Sequence, residues 1–182
     1  MEELTDVLDE NGLKTGLTAT RAEVHKNGLW HRGAVVVLVD KNGRILMQQR
    51  SKNVEAFSEC WDVSAAGHIS AGQNSIDAAL RELSEEIGLI AKEEELKLLV
   101  QFKEATKVRD DYIENLFFDC YLIEKDNIDL SQIKMQASEV EQVKLCNIDE
   151  VMKLVIDKKV LPRDRLYEEL EYYLKNKNSL TN

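Results

Sequence analysis

Three carboxylates and a guanidinium fall inside one short run of this chain, Arg81-Glu82-Leu83-Ser84-Glu85-Glu86-Ile87-Gly88-Leu89. Residues of an α-helix advance by about 100° each, so Glu82, Glu85 and Glu86 share one sector of a helix surface, with the small Ala78 among them. Carboxylates one turn apart repel when unpaired. Hard divalent cations want that arrangement of oxygens, and Mg2+ in particular is held by a few carboxylates together with substrate phosphates and water. A guanidinium beside them can hold the carboxylates in register through paired contacts. Taken alone, the three glutamates would read as a solvated acidic face.

The surrounding spacing argues for the chemical reading. Residues 67–89 resemble the signature of the Nudix family, G-x(5)-E-x(7)-R-E-U-x-E-E-x-G-U with U a bulky aliphatic, at Gly67, Arg81, Glu82, Leu83, Glu85, Glu86, Gly88 and Leu89. Gln73 stands where the family has Glu. An amide keeps an acceptor but loses the charge that would help hold Arg81 or a metal-bound water, which weakens the hydrolase reading without cancelling it. The resemblance implies an α/β/α sandwich around a mixed sheet and metal-dependent attack on a diphosphate linkage. Carried over residue by residue, it implies that Glu82, Glu85, Glu86 and the backbone carbonyl of Ala66 hold Mg2+ or Mn2+. The general base varies among members: Glu82 is one candidate, with Glu86 and Arg81 in the same catalytic set. Glu139 and Glu141, just before a late strand, are the alternatives. A metal there would stabilise charge on the diphosphate and supply hydroxide near neutral pH.

A wider likeness narrows the branch. The N-terminal hairpin, Trp30-His-Arg-Gly33, Leu46-Met-Gln-Gln-Arg50 and Trp61-Asp-Val-Ser-Ala-Ala-Gly67-His68 resemble the Nudix proteins that include type 1 isopentenyl-diphosphate isomerase. In those isomerases histidines and a glutamate bind one metal, and His31, His68 and Glu114 match, with His25 aligned less closely. The isomerase's catalytic cysteine falls at Ala66, and a second glutamate of its pattern falls at Leu116. Hydrolysis of a nucleoside diphosphate derivative or related diphosphate is therefore the reading of choice. An isomerase-like enzyme and a catalytically weak binding module are the alternatives. Arg32, Arg50 and Gly67 are the expected substrate contacts. Lys103 and Arg109 could also meet phosphates, and Trp30, Trp61 or Phe102 could stack on a base.

The elements that must position these groups follow from periodicity. Ile76, Leu80, Leu83 and Ile87 form the core stripe of an amphipathic helix, with Asn74 or Ser75 capping its start and Gly88 ending it. Leu4 to Leu8, a turn at residues 9–12 and Leu13 read as a hairpin, followed by an unassigned segment to Asn27. Residues 34–39 and 44–50 read as two strands about a tight turn. Residues 61–66, 95–107, 112–123 and 140–146 read as further strands, and 148–156 and 163–175 as helices. Together these predict a single domain over residues 1–176 and a frayed tail over residues 177–182, the polar, Asn-rich stretch that leads into it beginning at about Leu174.

Composition sets the outer limits. With 182 residues, 43% of them hydrophobic, and a single proline, the chain suits one core. A formal net charge of -10 disfavours a nucleic-acid or anionic-membrane surface and leaves a small-molecule diphosphate as the expected partner, since a bound metal inverts the local field. Cys60, Cys120 and Cys146 match no metal or disulfide spacing. With no apolar run long enough to span a bilayer and no signal-peptide pattern, the expected location is cytoplasmic. Monomer and homodimer both stay open.

Overall fold

The computed structural model describes residues 3–177. Its centre is β3 (His31–Asp40), an almost unbroken apolar run buried along its length, as expected of a strand covered on both faces. Val35, Val37 and Val39 join one core cluster, and Ala34, Val36 and Leu38 join the other. Around it lie β1 (Leu4–Leu8), β2 (Lys14–Thr20), β4 (Ile45–Arg50), β5 (Trp61–Asp62), β6 (Ala65–His68), β7 (Lys97–Arg109), β8 (Tyr112–Lys125) and β9 (Val140–Cys146). The helices are α1 (Arg21–Asn27), α2 (Ser75–Ile87), α3 (Ile148–Ile156) and α4 (Asp164–Asn176). The sheet is mixed: β3 pairs in parallel with β8 and antiparallel with β4 and β6, while β7–β8 and β4–β9 are antiparallel. Helices α3 and α4 cover one face through Val151, Leu166, Tyr167 and Leu170, and α2 covers the other through Ala78, Ala79, Leu83 and Ile87. This is the α/β/α sandwich around a mixed sheet that the sequence predicts.

The sheet forks along β3. At its far end Val39 pairs with Ile45 of β4, whereas from Gly33 to Val36 its neighbour is β6. The buried Ser64 splices the fork: its hydroxyl accepts from the Leu38 N–H at 2.8 Å and donates to the Leu46 carbonyl at 2.7 Å. The expected single strand over residues 61–66 is thus two, interrupted by this splice, and β6 carries Gly67 and His68 to the open side of the fork.

The ends differ from expectation in two ways. The hairpin's return strand is longer than Leu13 suggested, and the unassigned segment holds α1, started by a reciprocal cap between Thr20 and Glu23. At the other end Leu174 packs against the core and α4 continues to Asn176, so fraying does not set in at Leu174. Lys177 pairs with Glu124, and residues 178–182 lie outside the described residues.

Candidate active site

Helix α2 begins where Asn74 accepts from the Asp77 N–H at 2.8 Å and ends at Gly88, whose φ of 68° is left-handed. A side chain at position 88 would also come within 2.6 Å of Lys134 Cβ, so glycine is required there on both counts. Of the expected core stripe, Leu83 and Ile87 are fully buried and Ile76 packs beside them, whereas Leu80 is half-buried and lies outside that cluster, its place on the sheet side taken by Ala78 and Ala79. The acidic sector does not lie on the surface: Glu82 and Glu86 are buried and only Glu85 is exposed. Glu86 Oε2 accepts from Gln48 Nε2 of β4 at 2.8 Å and from the Ala66 N–H of β6 at 3.0 Å. Both anchors fall on one oxygen, and among the described residues Glu86 Oε1 has no hydrogen bond.

Glu82 lies directly against Gly67. A Cβ built there would sit 2.0 Å from Glu82 Oε1, so the glycine is what lets strand and carboxylate meet. Arg81 holds the group together, with Nη1 2.8 Å from Glu82 Oε1 and 3.0 Å from Glu85 Oε2, and Nη2 donating to the His68 carbonyl at 2.9 Å. Burial raises the Glu82 carboxyl to about 7, against the pull of Arg81. Burial and the neighbouring Glu82 raise Glu86 to about 8. Glu139 reaches the same cleft because residues 134–139 lie across the end of α2, tied by Lys134 N to Ile87 O and Gln136 N to Glu86 O, each at 2.9 Å.

A second donor set adjoins the first. The ligand nitrogens of His25, His31 and His68 lie within 4.8 Å of one another. His25 stacks on Tyr112 at 4.2 Å between ring centres. His31 Nδ1 lies 2.9 Å from the Leu29 carbonyl, while His31 Nε2 and both His25 nitrogens are buried without a partner among the described residues. Burial lowers His25 to about 3 and His31 to about 4, and moves His68 well down, so all three rings are neutral at pH 7. Orphaned neutral imidazoles are the chemistry of a transition-metal site. The donors present therefore fit both a hard cation beside Glu82 and Glu86 and a softer one among the histidines.

The model of the NUDIX domain matches residues 29–170. The chain belongs to the Nudix family. Nudix hydrolase 3 of Arabidopsis thaliana is 38% identical over 152 residues, 82% of this chain but 20% of that longer protein. An isopentenyl-diphosphate Delta-isomerase of Serratia proteamaculans is 32% identical over 122 residues, 67% of this chain and 66% of that one, in keeping with the branch read from the sequence. A crystal structure of a Deinococcus radiodurans protein superposes with a TM-score of 0.72 at 17% identity, over 93% of this chain and 98% of that one, a likeness of fold.

Ala66 and the Nudix motif residues Gly67, Arg81, Glu82 and Glu85 line a cleft of about 150 Å³ together with Arg50, His68, Glu114 and Glu139, while Glu86 is not among its lining residues. Other candidates lie elsewhere. Arg32 is ion-paired with Asp119 and does not line the cleft, because alternation along β3 sends it to the face opposite His31 and Gly33. Glu141 is exposed on β9. Lys103 sits 5.5 Å over Trp30, Arg109 pairs with Glu55 and Asp111, and Lys144 covers Trp61 at 3.9 Å. Phe102 packs against the core under α3 and α4. Glu114 lines the cleft but is not one of the clustered histidines' partners, and His25 completes that set instead. Sequence reasoning missed Glu3, Arg21, Phe57 and Arg163 as cleft residues. The Thr20 and Glu23 cap was a legible signal for α1 and hence for Arg21 and His25.

Gln73 does not touch Arg81. Its Oε1 accepts from the Ser70 N–H at 3.3 Å in the turn before α2, which a carboxylate can do equally. Gln73→Glu is accordingly expected to change turnover by no more than about threefold, the range of a surface change of a few tenths of a kcal/mol. A tenfold or larger change in kcat, up or down, would show that position 73 reaches the catalytic groups. Gly67→Ala should be far more damaging, lowering kcat/KM by roughly a hundredfold, because displacing a reacting group by about 1 Å costs that much. Near-normal kcat/KM in a folded Gly67→Ala protein would contradict the contact with Glu82.

Proposed function

We propose that this Nudix protein hydrolyses the diphosphate linkage of a nucleoside diphosphate derivative or related small molecule, releasing a monophosphate, with Mg2+ or Mn2+ at Glu82, Glu85, Glu86 and the Ala66 carbonyl. The observation that carries this is the pair of buried glutamates one turn apart on α2, each held by one oxygen: Glu82 lines the cleft beside Gly67, and Glu86 is anchored next to it by Gln48 and the Ala66 N–H. A bound divalent cation would neutralise phosphate oxygens and activate water. The chain's own part is to position and to move a proton. Arg81 fixes Glu82 and Glu85. Arg50, at the cleft wall, meets phosphate oxygens, and Gly67 makes room for the Glu82 carboxylate against β6. Glu139 or Glu82 accepts the proton of the attacking water. A panel of nucleotide sugars, dinucleotides, coenzyme A and nucleoside di- and triphosphates should contain at least one compound cleaved with Mg2+, with oxygen from labelled water in a product. EDTA should abolish it. Silence across the panel would refute the reading.

The histidine cluster is what favours the isomerase alternative. Allylic isomerisation needs an acid and a base on opposite faces of a carbon skeleton, and Ala66 and Leu116 supply neither. We expect no interconversion of isopentenyl and dimethylallyl diphosphate; measurable turnover there with a silent panel would reverse the choice.

The pH dependence of metal binding follows from the two raised carboxyls. A carboxyl whose folded value lies above its ordinary 4.5 favours folding at low pH, and that contribution is lost as pH rises through the folded value. The metal-free protein should therefore lose melting temperature from these groups between about pH 5 and 8. Cation binding displaces their protons, so the rise in melting temperature caused by Mg2+ should grow over the same interval. A Mg2+ shift that is flat with pH would place the cation elsewhere.

A further inference from the structure

Arg81 is reached by a carboxylate that lies outside the motif altogether. Its Nη1 edge faces Glu82 and Glu85 of its own helix, while its Nη2 edge faces the turn before α2, where the His68 carbonyl accepts at 2.9 Å and Glu3 Oε1 lies 3.9 Å away. The same Glu3 oxygen accepts from Ser70 Oγ. Glu3 immediately precedes β1, and β1 is stitched to that turn. The Ala71 N–H donates to the Leu4 carbonyl at 2.7 Å, the buried Thr5 hydroxyl to the Ile69 carbonyl at 2.9 Å, and the Gly72 N–H to Asp6 at 3.1 Å. Consecutive residues 4, 5 and 6 are thus fixed on the turn, and the backbone that carries Glu3 is fixed with them. Glu3 lines the same cleft as Glu82.

Ser70 also holds Gln73, through its N–H. The amide at position 73 is where the chain departs from the motif, and the charge it lacks is present on Glu3, at the hydroxyl of the same serine. The side from which that charge acts is what counts. On its Nη1 edge Arg81 is drawn toward Glu85, which is exposed. A guanidinium drawn to that side alone can follow Glu85 into solvent and loosen its hold on Glu82, whereas carboxylates at both edges fix its plane. We infer that Glu3 supplies, from the first strand, the carboxylate that position 73 lacks, as a positioning residue that acts through Arg81 on Glu82. The inference rests on the metal-dependent diphosphate reading of the cleft.

Glu3→Gln tests the charge alone, since the amide keeps an acceptor for Ser70 and position 3 is exposed. Two readouts are taken on the full chain: the Mn2+ dissociation constant, from the paramagnetic signal of the free ion, and kcat and KM on a cleaved compound of the nucleotide panel. Glu3→Gln should weaken Mn2+ binding and lower kcat by about fivefold each, the upper end for an exposed ion pair, with KM changed by less than about twofold. In an Arg81→Ala background the same substitution should move the Mn2+ constant by less than about twofold, because a residue acting through Arg81 has nothing left to act on. Adding Gln73→Glu to Glu3→Gln should return the Mn2+ constant to within about twofold of the parent protein. Should Arg81→Ala fail to fold, the charge returned at position 73 decides alone. An unchanged Mn2+ constant in Glu3→Gln, an equal loss with and without Arg81, no recovery from the carboxylate at position 73, or no Mn2+ binding by the parent protein overturns the inference. A silent nucleotide panel with the Mn2+ results as expected would count against the hydrolase reading alone. Cleavage and Mn2+ binding indifferent to Glu3 would count against Glu3 alone.

Discussion

Glu86→Gln should lower turnover by about a thousandfold or more while leaving the protein folded. The expected loss comes from a cation's contribution of several kcal/mol to charge stabilisation at a phosphoryl centre, with each 1.36 kcal/mol worth tenfold in rate. The sequence placed Glu86 on an exposed or cleft-facing sector; in the structure it is 1% exposed. That makes the variant cleaner. A glutamine keeps an oxygen for the Ala66 N–H, and its new amide can donate to Gln48 Oε1, which is buried without a partner among the described residues. Because burial raises the Glu86 carboxyl to about 8, it is largely neutral in the metal-free protein at pH 7, so the amide should hold or raise the melting temperature there and raise it above pH 8. Kinetics under saturating Mg2+ and a thermal melt suffice, and turnover within a fewfold of the parent protein would sink the ligand assignment.

Leu83→Ala should do the reverse, costing stability and sparing chemistry until the fold gives way. Leu83 is fully buried against Ala34, Val36 and Leu38 through the cluster under α2, and a leucine truncated in such a setting costs about 2–5 kcal/mol. For a chain of this size that is a fall of roughly 5–20 °C in melting temperature. The same residue stands between Glu82 and Glu85 in the sequence, so the contrast with Glu86→Gln tests which way the helix faces. An unchanged melt would mean that the acidic sector, not the aliphatic one, meets the sheet.

What was legible in the sequence was mostly local. The span 140–146 of β9 and 148–156 of α3, and the caps of α2 at Asn74 and Gly88, all appear where periodicity and capping chemistry put them. The clustering of Glu82, Arg81 and Gly67 was legible because one helix and the strand just before it carry them. What escaped depends on long-range closure. Arg163 arrives from the start of α4, 101 residues from its partner Asp62, and no spacing rule connects the two. The burial of Glu86 follows from β4 and β6 converging on it, which requires the fork. Arg32 is different: strand alternation beside His31 and Gly33 was in view and already pointed it away from the cleft.

Ser64 sets how this protein can adapt. One hydroxyl satisfies a donor on β3 and an acceptor on β4 at the point where the strands part, and an alanine there would leave both buried and unpaired. The wall bearing Ala66, Gly67 and His68 is thus pinned to the middle of the sheet and is not free to reshape around a ligand. The opposite rim is made differently: residues 51–60 form turns and bends, and Phe57 and Glu59 hold positive φ. Variation in what this chain recognises has its room along that rim, while the machinery that meets the scissile linkage stays as fixed as the core beneath it.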